Sequence, residues 1–133
     1  MNGNSAALDT NQAIAILNDS PAAIAFYSTF DELILPATVI GELRFGALNS
    51  QRSSENLEKI DRLAARCRVV DTTATTAIAY AQIRMQLKQI GHPTPENDIW
   101  IAAACVQHSI RLATADRHFN AIHGLDLISP PVP

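Results

Sequence analysis

The sequence predicts an α/β domain of three layers, in which helices cover both faces of a mostly parallel, Rossmann-like sheet. Short apolar runs alternate along the chain with longer segments whose apolar residues recur at helical spacing. The 133 residues suffice for one domain with a substantial core, so we expect a single domain over residues 1–133. Hydrophobic residues make up 47% of the chain and charged residues 17%, a composition typical of a globular protein.

The first half of the sequence alternates strand-type runs with helical patterns. Ser20 and Pro21 are typical of a helix start, with Ser20 as the N-cap and Pro21 in the first turn. We also expect Thr38 to cap a helix, because the apolar residues after it recur at helical spacing. The expected elements are a strand over Ser5–Leu8, helices over Gln12–Leu17 and Pro21–Thr29, a strand over Leu33–Leu35 ended by Pro36, and a helix that carries Val39, Ile40, Leu43 and Ala47.

The second half continues this alternation of strands and helices. Gly91 is typical of the position just after a helix, and Pro93 and Pro95 prevent that helix from continuing. The expected elements are a helix opened by Ser53–Asn56, a strand over Arg68–Asp71, a long helix after Thr72–Thr76, a helix over Ile99–His108 begun by Glu96–Asp98, a strand over Arg111–Thr114, a helical turn over His118–Ile122, a strand over Leu125–Ile128 and a frayed tail over Pro130–Pro133.

Composition limits the classes of function. The net charge of −3 argues against a large phosphate-neutralising surface. Cys67 and Cys105 lack metal-binding spacing and are expected to be small buried hydrophobes. The longest apolar run, Ile99–Val106, is far shorter than the ~20 residues that span a bilayer, and no signal segment is present. We therefore expect a cytoplasmic protein.

Four acidic residues lie at the edges of apolar segments, far apart in the sequence: Asp9, Glu42, Asp98 and Asp116. Asp9 and Asp116 each follow a predicted strand, and ligands of open parallel sheets bind at that end of the strands. Glu42 lies in a helical segment with Gly41 and Gly46, although glycine costs about 1 kcal/mol in a helix relative to alanine. The two glycines suggest that another group packs closely there.

Each acid taken alone also has a structural explanation. Asp9 suits an N-cap, Asp116 suits a turn, and Asp98 suits the first turn of a helix. Gathered in one pocket, however, two carboxylates about 5 Å apart repel by about 3 kcal/mol at an effective dielectric constant near 20. A hard divalent cation such as Mg²⁺ or Mn²⁺ bound between the carboxylates replaces this repulsion with a net attraction. The histidines show no zinc-site spacing, and we expect structural or surface roles for His92, His108, His118 and His123.

Four segments resemble, in order, the motifs of the PIN domain family. They are Asp9–Asn11 after the first strand, Ile40–Ala47 (IGELRFGA), Glu96–Ala103 (ENDIWIAA) and Thr114–Phe119 (TADRHF). Their order and spacing agree with the family over nearly the whole chain. The forms GELRFGA and NDIWIAA most resemble the VapC-type toxins of bacterial toxin–antitoxin pairs.

This resemblance implies a Mg²⁺- or Mn²⁺-dependent endoribonuclease that acts on RNA, forms a homodimer and is blocked by a separate VapB-type antitoxin. It implies that Asp9, Glu42, Asp98 and Asp116 form the catalytic metal site. Thr114 is then expected as a neighbouring hydroxyl, and Asn11 as a residue that orients Asp9. Arg44 and Arg117 adjoin the acidic motifs in sequence and are candidates for phosphate binding, with plain solvent exposure as the alternative.

Two further classes of function compete with the nuclease. A non-catalytic PIN-like module that binds RNA or protein is the alternative, and degraded acidic motifs would favour it, whereas all four acids are present. A phosphatase of the phosphoaspartate type needs DxDxT after its first strand, where this chain has Asp9–Ala13 (DTNQA). A receiver domain needs a lysine at the end of a late strand, and the only lysines, Lys59 and Lys88, fall in predicted helices.

Overall fold

The computed structural model describes residues 4–132, and its backbone alternates parallel strands with helices. The predicted α/β class is confirmed. The elements are β1 (Ser5–Leu8), α1 (Thr10–Leu17), α2 (Pro21–Tyr27), β2 (Glu32–Pro36), α3 (Ala37–Leu48), α4 (Ser53–Arg66), β3 (Arg68–Val70), α5 (Ala74–Gln89), α6 (Glu96–His108), β4 (Leu112–Ala113), a 3₁₀ helix (Arg117–Ala121) and β5 (Leu127–Ile128).

The sheet has five strands within the described residues, in the order β3-β2-β1-β4-β5, and every adjacent pair is parallel. Strand β1 is central, and Ala7 pairs with Ile34 of β2 on one side and Leu112 of β4 on the other. The chain runs outward from β1 to β3 and then returns across β1 to β4. Since such crossovers are right-handed, α1–α4 cover one face of the sheet and α5 and α6 cover the other.

Aliphatic residues of small and medium size fill the core on both faces of the sheet. Leu8, Ile34 and Leu112, from three adjacent strands, are almost completely buried. Helix α6 contributes the buried run Ile101–Cys105, whose alanines let the helix approach the sheet closely. Phe119, on the 3₁₀ helix, is fully buried and anchors the segment that follows β4. The core thereby fixes the carboxyl ends of β1 and β4.

The start of α3 differs from the prediction. Thr38 does not cap the helix, because α3 begins at Ala37 and has Pro36 as its N-cap residue without a side-chain hydrogen bond. Pro36 has φ −62° and ψ 143°, an extended conformation that ends β2 and leads directly into the helix. Gly91 has φ +68° after α5, which confirms the predicted helix end.

Three smaller sequence expectations also concern the described residues. Cys105 is buried, as expected, whereas Cys67 is only half-buried, and both thiols are free. Residues 130–132 of the predicted tail have no regular secondary structure, and Pro133 lies outside the described residues. Across residues 4–132, no helix combines the length and apolar character needed to cross a membrane.

The capping box of α5 offers a test of local stability. Thr73 Oγ1 accepts from Thr76 N–H and Thr76 Oγ1 accepts from Thr73 N–H. We predict that Thr73→Ala lowers the free energy of unfolding by about 1 kcal/mol, because the first turn loses its cap. Urea denaturation measures this change. The matched variant Thr75→Ala, at an exposed position of the same turn, is expected to stay within about 0.5 kcal/mol of the parent.

Candidate metal centre

The structure brings the four predicted acids together at the carboxyl end of the sheet. Asp9 directly follows β1, and its N–H donates to Ala113 O of the adjacent β4 at 3.1 Å. Asp116 follows β4 and caps the 3₁₀ helix by accepting from His118 N–H at 2.9 Å. Asp9 likewise caps α1. The N-cap role expected for Asp9 is therefore confirmed, Asp116, expected in a turn, caps the 3₁₀ helix, and both roles coexist with a place in the cluster.

Asp9 is buried and has both carboxylate oxygens hydrogen-bonded. Thr10 N–H donates to Oδ1 at 2.8 Å, and Thr114 Oγ1 donates to Oδ2 at 2.7 Å. The same Thr114 oxygen accepts from Asp116 N–H at 3.0 Å, so one hydroxyl joins the ends of β1 and β4. Asn11, expected to orient Asp9, instead has an exposed side chain, and within residues 4–132 the donors to Asp9 are Thr10 and Thr114.

Glu42 reaches the cluster from the middle of α3. Its Oε1 accepts from Thr10 Oγ1 at 2.7 Å, and its Oε2 accepts from Asn97 Nδ2 at 2.5 Å. These bonds connect α3 with α1 on one side and with the first turn of α6 on the other. Neither Thr10 nor Asn97 was predicted as a site residue, although each is the immediate neighbour of a predicted acid.

Asp98 and Asp116 form the tightest part of the cluster, together with His118. One potential ligand atom from each residue lies within 4.8 Å of the other two. His118 Nδ1 is 3.3 Å from Asp116 Oδ1. The surface role predicted for His118 is therefore incomplete. The sequence feature that could have indicated a place for His118 near the cluster is its position two residues after Asp116, at the start of the turn that Asp116 caps.

Burial and mutual repulsion act together on these carboxyl groups. Burial raises the pKa of Asp9 above its usual range and outweighs the hydrogen bonds from Thr114 and Thr10 N–H, while the charges of Asp116 and Glu42 add to the rise. The pKa of Asp98 is raised to about 6. Burial is the largest cause, and the negative charges of Asp9, Asp116 and Glu42 add to the rise. Each of the four acids therefore lies close enough to influence a neighbouring carboxyl group.

The residues around Glu42 correct one further expectation. Among residues 4–132, a Cβ added at Gly41 or Gly46 would meet no atom within 4 Å apart from the backbone of its own helix, so the expected close packing is wrong.

The two arginines proposed for phosphate binding differ in their contacts. Arg44 forms an ion pair with Asp61 at 2.8 Å. Arg117 is exposed and forms no ion pair within the described part of the chain, so it stays a candidate for phosphate binding.

The donor set suits a hard divalent cation. The Asp98 and Asp116 carboxylates and the His118 imidazole are within mutual reach, the Asp9 and Glu42 carboxylates lie beside this group, and no thiolate belongs to it among the described residues. Mg²⁺ and Mn²⁺ take a few carboxylates and keep several waters, which a partly open cluster permits. A cation at this position would also offset the carboxylate repulsion, which adds to the effect of burial on the pKa of Asp9 and of Asp98. The residues therefore fit the metal that the motifs imply.

Comparison with known proteins agrees with the motifs. The sequence model of the PIN domain matches residues 6–125, which is most of the chain. The chain belongs to the PIN domain family. Ribonuclease VapC2 of Rickettsia felis is 27% identical over 127 residues that cover 90% of this PIN chain and 93% of that protein.

Two further similarities extend over nearly the whole PIN domain. The tRNA(fMet)-specific endonuclease VapC of Shigella flexneri is 30% identical over 121 residues, covering 89% of this chain and 92% of that protein. A chain in the crystal structure of DNA-bound VapBC from Salmonella typhimurium superimposes with a TM-score of 0.86 at 26% identity, covering 94% of this chain and 97% of that chain. These similarities bear out the VapC-like form of the motifs.

The raised pKa of Asp98 predicts a specific pH dependence of stability. Folding raises the pKa of Asp98 from 3.8 to about 6. Between about pH 4 and about pH 6, Asp98 is therefore mostly protonated in the folded chain and mostly ionised in the unfolded chain. In EDTA, the stability of the parent relative to Asp98→Asn should therefore fall as pH rises from about 4 to about 6. Urea titrations across this range measure the difference.

A control variant and a cation complete this test. Asp126→Asn makes the same substitution at the opposite end of the sheet, outside the acidic cluster, and is the matched control. Adding Mg²⁺ at neutral pH should raise the stability of the parent more than that of Asp98→Asn, because the ion offsets the carboxylate repulsion. A parent whose stability relative to Asp98→Asn is flat across the range would contradict the electrostatic account of the cluster.

Proposed function

We propose that the chain is a Mg²⁺- or Mn²⁺-dependent endoribonuclease that acts in the cytoplasm as the toxin of a VapBC-type toxin–antitoxin pair, with residues 1–133 as one PIN domain. The convergence of four intact acids at the carboxyl end of a parallel sheet is the observation that carries the proposal. The names of the relatives, ribonuclease VapC2 and tRNA(fMet)-specific endonuclease VapC, support RNA as the substrate.

In this proposal Asp9, Glu42, Asp98 and Asp116 hold the ion. The bound cation supplies Lewis acidity, which makes water nucleophilic near neutral pH and offsets the charge that develops on the phosphate. Thr114 keeps the buried Asp9 in a single orientation through its 2.7 Å hydrogen bond, and its contact with Asp116 N–H fixes the neighbouring loop. Glu42, Asp98 and Asp116 are partly exposed, whereas Asp9 is buried.

The proposed reaction is hydrolysis of one phosphodiester bond. The water oxygen bonds to phosphorus in line as the bond from phosphorus to the 3′ oxygen breaks, which leaves a 5′-phosphate and a 3′-hydroxyl. The water loses a proton to solvent and the departing 3′ oxygen gains one. Arg117, exposed beside Asp116, binds a flanking phosphate of the RNA, whereas Arg44 is held by Asp61.

We also propose a partner helix in the groove between α1, α3 and α4. This groove has a volume of about 200 Å³, and Glu42 and Lys59 are among its polar residues. Its apolar lining comprises Ile14, Leu17, Leu43, Gly46, Ala47 and Ile60. An amphipathic segment of a VapB-type antitoxin fits this lining, with a basic side chain directed at Glu42. The exposed apolar residues Ile78 and Met85 on α5 support a homodimer through another face.

Substitution of the acids tests the nuclease proposal. We predict that Asp9→Asn and Asp98→Asn each slow cleavage of total bacterial RNA in Mg²⁺ by on the order of 100-fold or more, because each removes a ligand charge. Gel analysis of the time course measures the rates, with Asp126→Asn as the matched control of unchanged activity. If both site variants cut RNA as fast as the parent, the site assignment is wrong. RNA binding without any cleavage by the parent would favour the non-catalytic module.

The two open glycines of α3 provide a matched test of the groove. A Cβ added at either glycine meets no atom of residues 4–132 within 4 Å outside its own helix backbone, and of the two glycines Gly46 lines the groove. We predict that Gly46→Gln weakens co-purification with the product of the neighbouring small open reading frame by about tenfold or more, and that Gly41→Gln does not. Equal binding by the two variants would place the antitoxin elsewhere.

A further inference from the structure

The two hydrogen bonds of Glu42 define a specific arrangement around its carboxylate. Glu42 has a long side chain on α3, and an unrestrained glutamate of this kind samples several rotamers. Here one carboxylate oxygen accepts from Thr10 Oγ1 at 2.7 Å and the other accepts from Asn97 Nδ2 at 2.5 Å. The two oxygens of the carboxylate therefore accept hydrogen bonds from residues of two other helices, α1 and α6.

The chemistry of the two donors is as informative as their positions. A carboxylate can only accept, so the amide of Asn97 must present its NH₂ group and Thr10 must present its hydroxyl hydrogen. Both donors are neutral. Across residues 4–132, no lysine, arginine or histidine forms an ion pair with Glu42, and the nearby Arg44 is bonded to Asp61 instead. Neutral donors orient the carboxylate and leave its negative charge available to a cation.

The locations of the donors tie Glu42 to two other acids of the centre. Thr10 follows Asp9, and its N–H donates to Asp9 Oδ1, so one residue contacts both carboxylates. Asn97 precedes Asp98 in the first turn of α6, so the turn that presents Asp98 also holds Glu42. A displacement of α3 relative to α1 or α6 would break one of these bonds and remove Glu42 from the cluster.

We propose that Asn97 and Thr10 are positioning residues, which hold the Glu42 carboxylate in the orientation that the divalent cation requires. This proposal rests on the proposed nuclease function, since it assigns the two residues a task at the same metal centre. Neither residue needs to touch the cation or the RNA. Their effect on metal binding is expected to pass through Glu42 alone.

Mn²⁺ binding in the absence of RNA provides the most direct test. The electron paramagnetic resonance signal of free Mn²⁺ gives the dissociation constant for the full chain at neutral pH. We expect Asn97→Leu and Thr10→Val, which keep the size of the side chain but lose the donor, each to weaken Mn²⁺ binding by about 10-fold or more. Thr10→Ser retains the hydroxyl and should stay within about twofold of the parent.

A matched variant separates positioning from general destabilisation. Gln107 also lies on α6 and makes amide hydrogen bonds, to Thr76 and Thr73, at the end of the helix away from the metal centre. We expect Gln107→Leu to lower the melting temperature while Mn²⁺ affinity stays within about twofold of the parent. An equal loss of Mn²⁺ affinity in Gln107→Leu and Asn97→Leu would overturn the positioning role.

The remaining outcomes distinguish this proposal from the proposed function. If the parent binds Mn²⁺ and cleaves total bacterial RNA, but Asn97→Leu binds Mn²⁺ equally well, the positioning role is wrong and the nuclease assignment stands. If Asn97→Leu fails to fold, the comparison of Thr10→Ser with Thr10→Val tests the proposal. An equal loss of Mn²⁺ affinity in these two variants overturns the positioning role. A parent that neither binds Mn²⁺ nor cleaves RNA overturns both proposals.

Discussion

Repulsion among carboxylates at one end of the sheet is the constraint on which the rest of the structure depends. The adjacency of β1 and β4 brings Asp9 to the loop of Asp116, and the contact between α3 and α6 adds Glu42 and Asp98. Burial increases the free energy of the ionised groups, which is why the pKa of Asp98 rises. Hydroxyl, amide and backbone donors orient Asp9 and Glu42 without cancelling their charge.

The same constraint governs how an acidic chain can act on RNA. With a net charge of −3 and four acids in the centre, the chain alone repels a phosphate group. In the proposed function a divalent cation would reverse the local sign, so that one ion would serve both the attraction of the RNA phosphate and the chemistry. Arg117 is exposed and directly follows Asp116 in the sequence, and it is the proposed contact for a flanking phosphate. Glu42 lines the groove proposed for the antitoxin and also belongs to the acidic cluster, so antitoxin binding there would act next to the proposed metal site.

Local patterns were enough to predict the features that local chemistry determines. Alternating apolar segments predicted the α/β class, and the placement of Asp9 and Asp116 after strands predicted that they meet. The prediction that Asp98 belongs to the same site depended on the resemblance to the PIN domain family. Thr10 and Asn97 were missed because their bonds to Glu42 join residues far apart in sequence. Thr38 is not the cap because Pro36 already occupies the N-cap position of α3, which depends on where β2 ends.

Crystallography with Mn²⁺ tests the central claim most directly. A crystal of the parent chain equilibrated with saturating Mn²⁺ is measured on both sides of the manganese absorption edge, and the anomalous difference map locates the ion. We predict a peak among Asp9, Glu42, Asp98 and Asp116, with carboxylate oxygens roughly 2.0–2.3 Å away. A map without a peak there, or with manganese bound only elsewhere on the chain, would contradict the account.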